Sequence, residues 1–99
     1  MVNEISMQDY YRRSPAIVSR RIADEAVLVP LRQKSSELDN IYSLNDTAAR
    51  TWELLDGQRS LQTVIQSIVT EYAIGEAQAS ADLLALVSQL VEIGALEKV

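Results

Sequence analysis

Residues 40–57 read NIYSLNDTAARTWELLDG, and the fold follows from this stretch. Its first part, residues 40–44, is rich in aliphatic and aromatic side chains that favour a strand. Asn45 is a preferred N-cap, because its side-chain oxygen can accept a hydrogen bond from an unpaired N–H of the first helical turn. Gly57 can adopt the left-handed conformation that ends many helices. The stretch therefore predicts a strand, a cap, a helix and a stop.

The chain before this stretch predicts two further strands. Residues 17–23 and 26–31 are β-branched or apolar runs on either side of Asp24-Glu25, which is the spacing of a hairpin. Residues 32–39 are polar and read as a loop, which leads to residues 40–44 as the third strand. Together the three strands form an antiparallel β-meander.

The N-terminal segment, residues 1–14, is polar and is followed by Pro15. Its Tyr-Tyr-Arg-Arg run at residues 10–13 could clamp a partner, but polar chain ends are more often partly ordered tails. We therefore expect a loose, flexible tail or one helical turn here, and a folded domain over residues 15–99.

Three helices follow the third strand. The first spans residues 46–56 and contains Trp52, the only tryptophan of the chain, which is expected to anchor the core. The second begins after Ser60, a favourable N-cap, and ends at Gly75. The third runs to residue 93 and carries an apolar face of about 180°, wider than the usual stripe of about 100°. This face comprises Leu83, Leu84, Leu86, Val87, Leu90, Val91 and Ile93.

Part of that wide face can meet the internal core. The remainder must meet the sheet, a second subunit or a bound segment. The short tail at residues 95–99 is expected to be extended and to lie against the sheet or the helices. The predicted fold class is α+β: a winged-helix-like domain in which a three-stranded antiparallel β-meander is followed by three α-helices.

Composition excludes several functions. The 99 residues contain no Cys and no His, which excludes thiolate and imidazole metal sites and Cys–His or Ser–His–Asp nucleophiles. We predict no enzyme activity, no metal and no cofactor. No apolar run has membrane-spanning length, and the N-terminus lacks the order of a signal peptide. We expect a cytoplasmic protein with no membrane partner.

A winged-helix-like fold raises the question of DNA binding. A helix that enters the major groove needs Arg, Lys, Asn or Gln directed at base edges, with basic contacts to phosphate nearby. The third helix contains no Lys or Arg between Glu76 and Leu96, and the net charge is −5. We therefore expect no nucleic-acid partner.

The edges of the predicted sheet suggest a different function. Its first strand carries Arg20 and Arg21, and edge charges discourage further pairing. The third strand, residues 40–44, has no charge and can accept an added strand. Main-chain bonds of about 1 kcal/mol net each do not offset the entropy of association, so apolar pockets are also required. The wide face of the third helix can supply them.

The sequence here resembles the PqqD family. The resemblance rests on YSLN at residues 42–45, TAA at 47–49 and WELLDG at 52–57, followed by an amphipathic helix and the ending Ile93-Gly94-Ala95-Leu96. It covers about residues 15–99. It implies a small peptide chaperone, also called a RiPP recognition element, for ribosomally synthesised and post-translationally modified peptides.

The resemblance also implies partners and a site. Such domains bind the leader of a precursor peptide and present it to a modifying enzyme, often a radical S-adenosylmethionine enzyme. Synthesis of pyrroloquinoline quinone is one of several pathways they serve. The peptide adds to the third strand and packs on the third helix. The matching positions are Asn40, Ile41, Tyr42, Ser43, Leu44, Leu84, Val87, Ser88 and Val91.

An alternative uses the same surfaces. The uncharged edge and the apolar helix face could pair with a second copy of the chain, which would make the protein a structural or dimerisation module. A homodimer is therefore the competing expectation.

Overall fold

The computed structural model describes residues 5–31 and 42–99 as an α+β domain. This part of the chain contains six strands in two antiparallel sheets and three helices, which confirms the predicted class and the order of strands before helices. In chain order the elements are β1 (Tyr10–Arg13), β2 (Ile17–Ile22), β3 (Glu25–Pro30), β4 (Tyr42–Leu44), α1 (Asp46–Leu54), β5 (Asp56–Ser60), α2 (Leu61–Tyr72), α3 (Glu76–Glu92) and β6 (Leu96–Lys98).

The first sheet has the order β2-β3-β4 and is the predicted meander. Strands β2 and β3 form a hairpin in which Ile22 pairs with Glu25, and Ala23 at the turn has a φ of 54°. Leu28 and Ala26 of β3 pair with Tyr42 and Leu44 of β4. The predicted loop and the first two residues of the predicted third strand, Asn40 and Ile41, lie outside the described residues.

A second sheet, of order β5-β1-β6, is absent from the sequence-based prediction. Its middle strand, β1, lies in the segment that the sequence predicts as a loose tail or a helical turn. Its neighbours are β5, which contains the predicted stop at Gly57 and the predicted cap at Ser60, and β6, the predicted extended tail. Tyr11 of β1 is buried, so this segment contributes to the core. Strands this short carry little periodicity, which is why they are visible only through their pairing.

The two predicted N-caps are confirmed, whereas the predicted stop at Gly57 is not, because α1 ends at Leu54 and Gly57 lies within β5. The Asn45 side chain accepts a hydrogen bond from the Ala48 N–H at 2.9 Å, and Ser60 caps α2 in the same way through Thr63. Gly75 differs from its predicted role: α2 ends at Tyr72 with Ala73 as a left-handed C-cap, and Gly75 is the N-cap of α3.

One core joins both sheets and all three helices, and Trp52 lies within it with 3% of its surface exposed. The apolar stripe of α2 and one side of α3 supply much of the rest. The largest fully buried side chains are Leu28, Leu55, Leu61, Val64, Ile65, Val87 and Leu90.

Arg13 of β1 caps the C-terminus of α1. The last turn of α1 carries no basic residue of its own. The Arg13 guanidinium donates to the carbonyl oxygens of Trp52 at 2.9 Å and Glu53 at 2.8 Å. The same group lies 6.0 Å from the centre of the Trp52 ring. A cation at a helix C-terminus is favoured by the helix dipole. Here it adds a second donor to the Trp52 carbonyl, which also accepts from the Leu55 N–H at 3.2 Å, and it bonds to the Glu53 carbonyl beside it.

Arg13→Met is therefore expected to lower the free energy of unfolding by about 1–2 kcal/mol, since charge-assisted hydrogen bonds to carbonyls are lost while the apolar stem is kept. Arg12→Met is the matched control. Its ion pair with Glu97 is solvent-exposed and is worth at most about 0.5 kcal/mol. Urea unfolding followed by tryptophan fluorescence measures both variants. Equal losses would show that the α1 cap contributes nothing.

Gly57 needs both a left-handed backbone and a close approach of chains. Its φ is 79°, and an added Cβ would lie 3.2 Å from Arg12 Cβ and 3.3 Å from Val99 Cγ2. Gly94 has a φ of 78° with no atom near the Cβ position. We expect Gly57→Ala to destabilise the fold by about 1 kcal/mol more than Gly94→Ala, because overpacking is added to the same backbone strain. Thermal unfolding of the two variants measures this difference. Equal melting temperatures would contradict it.

Candidate functional site

The outer edge of β4 is open in the described part of the chain, where β4 pairs only with β3. Tyr42 is half-buried and Ser43 is exposed, and neither carries a charge. An edge strand directs alternate N–H and C=O groups away from its sheet, where they can bond to another chain. The opposite edge, β2, differs because Arg21 is held in ion pairs with Asp46 and Glu53. The open edge of β4 is therefore the better acceptor of an added strand.

A side-chain hydrogen bond links helix α3 to β4. The Tyr42 hydroxyl donates to Oε1 of Gln89, which fixes the side of α3 that lies towards β4. Leu86 precedes Gln89 by one helical turn and is half-buried, and Ile93 follows by one turn and is 48% exposed. We call the space between residues 42–44 and the side chains of Leu86, Gln89 and the α3 C-cap residue Ile93 the edge groove. It offers main-chain bonds on one wall and apolar surface on the other.

A cavity of about 420 Å³ continues the edge groove into the helices. Its lining includes Asn45, which directly follows β4, and both Leu86 and Gln89 of the groove wall. Further side chains from α1, α2 and α3 complete it, and we call it the helical pocket. These further side chains include Ala48, Ile65, Ile68, Gln78, Asp82 and Leu83.

Two of the predicted site residues have their side chains in the core. Leu44 is 3% exposed and Val87 is 0% exposed, so neither side chain can contact a peptide. Val87 belongs to the buried side of α3 with Leu83 and Leu90. Leu44 can take part only through its backbone. This corrects the prediction for both side chains.

The other predicted α3 residues, Leu84, Ser88 and Val91, lie on a different side of the helix from Gln89. At about 100° per residue they are roughly 100–160° around the axis from it. None of them lines the helical pocket. The apolar face is wide because apolar residues lie on both sides of the buried stripe of α3. Only the tertiary structure shows which of these two sides lies towards β4. The contacts of a peptide with α3 thus remain a prediction, and the residues that the structure places on the Gln89 side of α3 are Leu86 and, one turn after Gln89, Ile93.

Two kinds of site are absent from the part of the chain that the structure describes, residues 5–31 and 42–99. No group of three or more His, Cys, Asp or Glu side chains is placed to hold a metal ion there. No helix in those ranges is long and apolar enough to cross a membrane.

Fold and site together define a class: a small winged-helix-like α+β domain with an open strand edge beside a helix. A family model described as "Coenzyme PQQ synthesis protein D (PqqD)" matches residues 25–96, and the chain belongs to this family. The fold is also similar to a solved structure described as TbiB1 in complex with the TbiA(beta) leader peptide. That chain is 27% identical with a TM-score of 0.72, and the match covers 87% of this chain and 94% of the other. No curated protein matches the chain significantly.

Proposed function

We propose that this protein is a peptide chaperone that binds the leader of a ribosomally synthesised precursor peptide as a strand added to β4. The observation that carries the proposal is the open, uncharged edge of β4 facing Leu86 and Gln89 across the edge groove. Membership of the PqqD family and the similarity to TbiB1, solved with a leader peptide, support it.

The energetics require both walls of the groove. Net main-chain hydrogen bonds of about 1 kcal/mol each do not offset an association cost of about 4–15 kcal/mol, so strand addition alone gives little affinity. Each apolar side chain that is fully buried contributes about 1.5–3 kcal/mol. An added strand directs alternate side chains to the inner face of the sheet, which is the face that carries Leu28 and Leu44 and that meets the helices. Peptide side chains buried against Leu86 and Ile93 therefore supply the part of the affinity that main-chain bonds cannot.

Membership of the family also supports a more specific proposal. We propose that the chaperone is non-catalytic and acts in the cytoplasm. It presents the bound peptide to a modifying enzyme, for which a radical S-adenosylmethionine enzyme is the leading candidate. The pathway is that of pyrroloquinoline quinone or of another modified peptide. A gene for such an enzyme and a short open reading frame beside this gene would support this role.

A nitrogen-15 NMR titration with the leader encoded by that reading frame tests the binding mode. We expect the amide signals of residues 42–44 and 85–93 to shift, because the peptide adds to β4 and packs on α3. The exposed edge at residues 17–22 is the internal control and should not shift. Shifts confined to that edge or to the β5-β1-β6 sheet would contradict the groove assignment.

The same open edge supports a second candidate, a dimerisation module in which β4 pairs with β4 of another copy. Light scattering over a range of protein concentrations separates the two. A monomer that binds peptide with one-to-one stoichiometry supports the chaperone. A dimer that stays associated when the peptide is added supports the dimerisation module.

A further inference from the structure

The helices around the edge groove are acidic. Residues 60–97 contain five acidic residues and no Lys or Arg. Two cations of β2 and α1 are already paired: Arg21 with Asp46 at 3.1 Å and Arg50 with Glu71 at 2.8 Å. Arg20 of β2 forms no ion pair with a described residue. Within the part of the chain that the structure describes, the α3 acids Glu76, Asp82 and Glu92 form no ion pair, so a bound peptide meets negative charge on the α3 side of the groove.

Asp82 places part of this charge at the helical pocket. Its carboxylate lines the pocket and forms no ion pair with any described residue. Gln78 donates to its Oδ1 at 2.9 Å, which orients the carboxylate and leaves Oδ2 available. Asp82 is exposed, so the bland interpretation is a solvated surface acid. Its position beside an apolar cavity, however, favours a role in binding a ligand.

The pocket combines an apolar interior with polar acceptors at its rim. Ile65, Ile68 and Leu83 are buried side chains of the interior, while the rim carries Asp82 and Gln78. A purely aliphatic side chain would fill the interior but would remove water from the rim without replacing its hydrogen bonds, which is costly. An acidic side chain would be repelled. Lysine and arginine satisfy both parts, because their stems pack on apolar surface and their charged ends bond to carboxylate and amide oxygens.

We infer that the helical pocket selects a lysine or arginine of the peptide, whose stem lies against Ile68 and Leu83 and whose charged end meets the Asp82 carboxylate. This inference rests on the proposed function and adds a determinant of specificity to it. This lysine or arginine lies next to the segment of the peptide that pairs with β4, because Asn45, which lines the pocket, directly follows β4.

The experiment uses the whole chain and a displayed library of random twelve-residue peptides as the probe. We expect enriched peptides to carry one Lys or Arg at a fixed distance from a β-forming segment. One enriched peptide is then synthesised, together with a variant in which norleucine replaces its Lys or Arg. Both peptides are titrated against the wild-type protein and against the Asp82→Asn and Glu76→Gln variants. Glu76 is the control because it carries the same charge on the same helix but does not line the pocket.

We expect Asp82→Asn to weaken the cationic peptide about threefold to tenfold and to leave the norleucine peptide unchanged, which corresponds to an ion pair of about 0.7–1.4 kcal/mol. Glu76→Gln should leave both unchanged. Enriched peptides without a Lys or Arg preference, or equal losses in Asp82→Asn and Glu76→Gln, would overturn the inference and leave the proposed function standing. No enrichment over an unrelated protein would overturn both.

Discussion

Leu86→Asp is expected to weaken binding of the leader peptide about tenfold to a hundredfold, a loss of about 1.4–2.7 kcal/mol. Leu86 lines both the helical pocket and the α3 wall of the edge groove, one turn before the Gln89 that contacts Tyr42. The substitution removes apolar surface that the peptide would bury and places a carboxylate beside the added strand. Isothermal titration calorimetry with the leader peptide measures the effect.

Leu84→Asp is the matched control. It is also a half-buried leucine of α3, two positions away, so the change in charge and in helix propensity is the same. It lies on the other side of the helix and is expected to change the affinity by no more than about twofold, less than about 0.4 kcal/mol. Circular dichroism establishes that both variants remain folded. The reverse pattern would place the peptide on the side of Leu84, Ser88 and Val91, as the sequence predicted.

Deletion of residues 1–13 is expected to abolish cooperative folding. The deleted segment contains β1, which pairs with both β5 and β6, and Tyr11, which is 5% exposed in the core. It also contains Arg13, whose guanidinium closes α1. Loss of a middle strand and a core aromatic residue is comparable with the whole stability of a small domain, about 5–15 kcal/mol. Urea unfolding followed by circular dichroism measures it.

A chain that begins at Ile5 is the control, because it retains all of β1 and the hydrogen bond from the Asp9 N–H to the Ser6 carbonyl. It should unfold at the same urea concentration as the full chain. A fragment 14–99 that unfolds cooperatively at that concentration would show that the domain boundary at residue 15, predicted from sequence, is the physical one.

Most of the local structure could be predicted because its causes are local. The caps at Asn45 and Ser60 are formed by side chains that bond to the backbone three residues further on. The apolar spacing of α2 and α3 gives their extents to within a few residues, and the hairpin β2-β3 joins strands separated by two residues. Trp52 is buried as expected from its place on the apolar side of α1.

Long-range contacts decided the rest. Strand β1 pairs with residues about fifty and about eighty-five positions away, and four-residue strands carry too little pattern to predict such a pairing. The rotation of α3 about its axis is set by packing against α1, α2 and β6. The sequence could therefore predict a wide apolar face but not which side of that face lies towards β4. Residues 40–57 thus determine a strand, a cap and a buried tryptophan through local chemistry. The groove beside that strand exists only because tertiary packing brings Leu86 and Gln89 to its edge.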